Sequence, residues 1–133
     1  MVKMTITSNG ILYDKTWGEL INIVKSMSNQ AHDDYALTLY DSEGEIVNRM
    51  MFSGGNKERV VLYYYEDPYG PMPTCILLDP SQTETIEIMA GGALMPVDKP
   101  ERAVSVEVAL EALKFYYDTQ RFPAHLNWEK LEW

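Results

Sequence analysis

The residues able to do covalent or metal chemistry are few and far apart in this sequence. There is one cysteine, Cys75, and two histidines, His32 and His125, which fall in different segments. No HxH, HExxH or CxxC spacing is present, so a zinc or iron site would have to be assembled from scattered side chains. A triad of Cys75, His125 and some carboxylate can be written down. Any chain with one Cys and one His permits the same, and triads are defined by geometry rather than by composition. Ser53-Gly54-Gly55 lacks the GxSxG spacing of a nucleophile elbow and reads as a turn. Glu43 with Glu45, and Glu84 with Glu87, can be written down as an acid and a base, but among 20 acidic residues such neighbours describe a solvated face. No Gly-rich phosphate loop follows a strand. The reading is therefore a protein with no catalytic residue, no cofactor and no metal, not an enzyme. Cys75, next to Ile76 and Leu77, reads as a small buried side chain.

What remains is recognition, and charge says of what. With 20 acids against 11 bases the net charge is −9, a field that repels nucleic acid and anionic membrane and attracts basic partners. The eight methionines, among them Met50, Met51, Met72, Met89 and Met95, suit either an adaptable contact surface or the filling of core gaps. Glu66-Asp67-Pro68-Tyr69-Gly70-Pro71-Met72-Pro73 is a stiff, exposed excursion, longer than sheet closure needs, and loops of that kind touch partners.

The elements that must position these loops follow from periodicity. At 133 residues and 46% hydrophobic composition the chain fits one domain, residues 1–133, with room for a core. Its apolar runs are too short to cross a bilayer, and its first residues alternate like a strand without a signal-peptide core, so a cytoplasmic protein is expected. Val2 to Thr7 predicts a strand, Asn9-Gly10 a turn, and Ile11 to Tyr13 the second arm of a hairpin. Thr16-Trp17-Gly18-Glu19 has capping-box spacing, and Leu20, Ile23, Val24 and Met27 recur at helical intervals to about Ser28. After the polar stretch Asn29 to Asp34 come five β-like segments spaced as an antiparallel meander. They are Tyr35 to Tyr40, Glu45 to Phe52, Arg59 to Tyr65, Thr74 to Leu78 and Thr85 to Met89, separated by turns at Asp41 to Gly44, Ser53 to Lys57 and Asp79 to Gln82. In Tyr63-Tyr64-Tyr65, strand alternation sends Tyr64 to the opposite face from its neighbours. Met95 to Pro100 is expected to lead irregularly into a second helix. That helix is capped by Ser105, with Val106, Leu110, Leu113 and Tyr117 as its apolar stripe, Ala109 and Tyr116 widening it, and Lys114 and Asp118 opposite. Pro123 stops it, and His125 to Trp128 is expected to run on as a strand with Trp128 in the core. The expectation is an α+β fold: a mostly antiparallel twisted sheet of about five to seven strands packed against an N-terminal and a C-terminal helix.

Gly91-Gly92, Pro96, the helix from Ala109 to Gln120, Pro123 and Trp128-Glu129 occur in an order that resembles the immunity protein 1 family of bacterial polymorphic-toxin systems. The strand, the helix around Trp17 to Met27 and the aromatic-rich Val60 to Tyr65 agree in order as well. The chain departs from the family pattern in its longer Asp67 to Pro73 loop and its extended Asp98 to Ala103 lead-in. The resemblance implies a stoichiometric inhibitor that binds a cognate toxin domain, a zinc-dependent nucleic-acid deaminase foremost and a nuclease next, and occludes its active site or substrate groove. On that reading the partner is protein, with no direct contact to nucleic acid or membrane. The expected contacts are exposed acids and an aromatic in two loops: Asp41, Glu43 and Glu45, then Glu66, Asp67 and Tyr69. The alternative is a small-molecule-binding α+β domain or enzyme with a pocket between the sheet and the C-terminal helix, lined by Tyr64, Phe115 and Tyr116.

Overall fold

Strand β5 (Arg59–Tyr65) is buried on both faces, and the rest of the fold follows from that. The structure, a computed structural model, describes residues 3–8, 11–13, 17–27, 35–56, 58–90 and 93–132. In chain order the elements are β1 (Lys3–Ser8), β2 (Ile11–Tyr13), α1 (Trp17–Met27), β3 (Tyr35–Tyr40), β4 (Ile46–Asn56), β5, β6 (Cys75–Leu77), β7 (Glu87–Ala90), β8 (Ala93–Pro96), a 3-10 turn at Pro100–Arg102, β9 (Val104–Ser105), α2 (Val106–Thr119) and β10 (Trp128–Lys130). The main sheet runs β10-β6-β5-β4-β3-β1-β2, with β9 pairing to β5 as an eighth strand, and every pairing is antiparallel. The fold is thus α+β, with two helices and an antiparallel sheet among the described residues.

Alternation along β5 divides the core in two. Val60, Leu62 and Tyr64 join Leu37, Leu39, Met50, Phe52, Cys75 and Leu77 on the face that receives Leu20 and Val24 of α1 and Val106, Ala109, Leu113 and Tyr116 of α2. Val61 and Tyr63 point the other way, into a smaller core with Ile76, Ile86, Ile88, Val97 and Ala103. Tyr64 therefore does part from Tyr63, as alternation requires.

The α2 stripe sits slightly round from the expected one. Val106, Ala109, Ala112, Leu113 and Tyr116 are buried, whereas Leu110 and Tyr117 lie half-buried at its margins. Two alanines, Ala109 and Ala112, occupy the centre of the buried face, and Tyr117 instead meets Trp17 of α1 at 5.5 Å between ring centroids. Ser105 is the N-cap, accepting from the Val108 N–H at 3.2 Å. Gln120 in the left-handed conformation closes the helix, its N–H donating to the Tyr116 carbonyl.

Four expectations are corrected. The segment expected as the fifth meander strand does not extend the main sheet: Glu87–Ala90 pairs only with Ala93–Pro96, a separate two-stranded sheet. Its Ile88 serves the smaller core by packing rather than by ladder hydrogen bonds. The lead-in from Met95 is accordingly part strand, not irregular throughout, and Val104–Ser105 adds a pairing that the strand count did not include. Ser53 to Lys57 is not simply a turn. β4 runs on through Gly54 and Gly55 to Asn56 with a register shift, and both glycines have positive φ. After α2 the chain turns through Phe122 to Asn127, held by the Leu126 N–H on the Pro123 carbonyl, so the final strand begins only at Trp128. Trp128 is half-buried, packed on Phe122 and donating from Nε1 to the Pro123 carbonyl at 2.9 Å. Asn9-Gly10, the Thr16 cap, the Asn29 to Asp34 stretch with His32, Lys57 and Gly91-Gly92 lie outside the described residues.

Candidate functional site

In a meander, alternate connections emerge at the same end of the sheet. The β3–β4 turn and the β5–β6 loop are such a pair, and between them they carry all six expected contact residues. Asp41 builds the first: its Oδ1 accepts from the Glu43 and Glu45 N–H groups at 2.8 and 3.0 Å, while Gly44, at φ +82, closes the turn. Asp67 builds the second in the same way, Oδ1 accepting from the Tyr69 N–H at 3.0 Å. The Thr74 hydroxyl anchors the loop base by accepting from the Glu66 N–H at 2.9 Å. The two loops then meet, with the Tyr69 hydroxyl donating to Glu45 Oε2 at 3.3 Å. Residues 24 apart in sequence thus form one rim.

The six residues divide by role. Glu43, Glu45, Glu66 and Tyr69 project from the surface, Tyr69 with 69% of its area exposed. Asp41 and Asp67 also hold the backbone of their turns, so their removal would disturb shape as well as charge. The field of the rim reaches inward. Burial first, and the Glu66 carboxylate second, push the Cys75 thiol up to about 11, and the same two causes in the same order raise the Tyr64 phenol. Cys75 is a buried free thiol kept protonated, which is the reverse of what a nucleophile requires.

The position expected for a pocket, between sheet and α2, is filled. Tyr116 is wholly buried, edge-on to Tyr64 at 6.3 Å, and its hydroxyl donates to the Asn48 side chain. Burial raises the Tyr116 phenol far above its ordinary range, which keeps it a donor. Phe115 packs on His125 at 4.8 Å. A cleft exists on the opposite face of the sheet instead, about 210 Å³ in volume. Val61, Ile76, Ile88 and Val97 line it, with Tyr63, Asp98 and Arg102 as its polar groups. Sequence reasoning missed it because Ile88 and Val97 reach that face through the small hairpin. Among the described residues no group of three or more His, Cys, Asp and Glu side chains is placed to hold a metal ion, and no helix is long and apolar enough to cross a membrane.

Two buried charges also went unread. Arg59, 6% exposed, donates to three backbone carbonyls, those of Ala103 at 2.8 Å, Glu84 at 2.7 Å and Pro100 at 2.6 Å. Asp79, 4% exposed, accepts from the Ser81 N–H and hydroxyl, the Gln82 amide and the Ser105 N–H. They tie the 79–105 excursion to the sheet and are structural. The sole sequence signal was Asp79 at a Pro-containing turn. The sequence matches no protein-family model and no curated protein.

Proposed function

We propose that this chain is an immunity protein: a cytoplasmic, non-catalytic inhibitor that binds a cognate bacterial toxin domain, most readily a zinc-dependent nucleic-acid deaminase, and covers its active site or substrate groove. The observation that carries this reading is the single acidic rim formed where Tyr69 joins the Glu66–Pro73 loop to the Asp41–Glu45 turn. A toxin that grips nucleic acid presents a basic groove, and a rim of carboxylates on a chain of net charge −9 matches it in sign, speeds encounter and can occupy the phosphate track. The C-terminal order of helix, proline and Trp-Glu supports the same reading by resemblance.

Co-expression with a toxin encoded beside it is expected to restore growth, and the two purified proteins to form a stoichiometric complex. Growth arrest despite expression, with no complex to any neighbouring toxin domain, would reject the proposal. The second reading, a small-ligand domain, rests on the cleft of about 210 Å³ rather than on the α2 interface. That volume is below the ~300–1,000 Å³ of most ligand sites, so it is the weaker of the two.

A further inference from the structure

Among the described residues the exposed large hydrophobic side chains are Val47, Tyr69 and Met72, at 41%, 69% and 43% of their areas. They come from two elements, yet all three belong to the end of the sheet that carries the acidic rim. Tyr69 and Met72 share the β5–β6 loop, and Val47 lies two residues beyond Glu45, the residue that Tyr69 contacts. Val47 sits at an irregularity of the β3–β4 ladder. The β3–β4 register pairs Leu39 with Asn48 and Tyr40 with Ile46, so Val47 is the residue skipped at a bulge.

Scattered apolar side chains on a surface need no explanation, but three at the end of the sheet that also carries the exposed carboxylates of Glu43, Glu45, Glu66 and Asp67 bring together the two components of an interface, apolar area and a polar margin. The charge selects the occupant. Nucleic acid and anionic membrane carry the sign of the rim and are repelled, and a second copy of this chain would bring another −9. A protein surface with lysine or arginine around an apolar side chain is matched in both respects.

We propose that Val47, Tyr69 and Met72 are the energetic centre of a docking surface for a basic, amphipathic protein segment, and that the surrounding carboxylates steer the approach. The proposal takes from the preceding section only that the partner is a protein with a basic face. Within the surface the roles separate: the apolar three set how slowly the complex dissociates, and Glu43 and Glu66 set how fast it forms.

The test is an NMR titration of the whole ¹⁵N-labelled chain with a short synthetic peptide of alternating lysine and leucine, beside an acidic peptide of the same length. Shift changes confined to residues 41–49 and 66–73, with the basic peptide alone, are expected. Changes centred on the cleft at Val61, Ile76 and Val97, changes on the helices, or none at all would overturn the proposal. Tyr69→Ala with Met72→Ser is expected to weaken the peptide about tenfold or more. Glu43→Lys with Glu66→Lys, which spares the two turn-forming aspartates, is expected to reduce the association rate and its salt dependence. Unchanged affinity in the first variant at unchanged melting temperature would equally reject the assignment. A toxin that fails to bind while the peptide result holds rejects the immunity function and leaves the surface standing.

Discussion

Arg59 is a buried cation solvated by peptide carbonyls. Its planar fork reaches Ala103, Glu84 and Pro100 together, and a lysine ammonium cannot span that arrangement. Arg59→Lys should therefore strand buried acceptors and lower stability by about 2–4 kcal/mol in urea denaturation. Burial opposes the charge of Asp79 as it does that of Arg59, yet hydrogen bonds from Ser81, Gln82 and Ser105 outweigh it and hold the carboxyl at about 2. The folded value lies below the ordinary one, near ~4, so this contribution is present above that pH and is lost as pH falls toward the folded value. Glu129 acts in the same direction, held at about 2 by Arg102 and then Lys99. Wild-type stability is expected to decline between pH about 4 and about 2, and Asp79→Asn should flatten that limb in thermal melts across the range. Cys75 should resist thiol reagents at neutral pH until denaturant is added, since its thiol is both buried and protonated.

At the level of elements, the contrast between two glycines isolates a steric requirement. Gly54 has φ +81, and a Cβ there would lie 2.8 Å from Ile88 Cβ; Gly44 has φ +82 with nothing within 4 Å. Both are strained by a side chain, but only Gly54 also lets β7 approach the bulged end of β4. Gly44→Ala is expected to cost about 1 kcal/mol and Gly54→Ala at least about 2 kcal/mol more, with Ile88→Ala recovering part of the second loss in a double-mutant cycle. That approach was not legible in the sequence. Ser53-Gly54-Gly55 has turn chemistry, and nothing local reveals that a later hairpin needs the space. By contrast Tyr35–Tyr40, Arg59–Tyr65 and the Ser105 cap could be read directly, because alternation and capping are properties of adjacent residues. Thr85 to Met89 looked like one more sheet strand, since periodicity reports which faces are buried and not which ladder receives them.

For the whole molecule, the same distinction separates what was legible in the candidate site from what was not. The two acidic loops could be named from composition, and the meander order places them at one end. The contact of Tyr69 with Glu45 depends on side-chain placement, and the unpaired position of Val47 on a one-residue slip in register. The β7–β8 hairpin forms its own sheet, fastened to the larger one by packing and by the Arg59 fork. Helix α2 is placed differently, because the strands on either side of it, β9 and β10, are laid into the main sheet against β5 and β6. It cannot lift away without unzipping a ladder at one end or the other. In hydrogen exchange the two regions should part company: amides of the hairpin trade their protons through local breathing, while those in the middle of α2 wait for the entire chain to come undone.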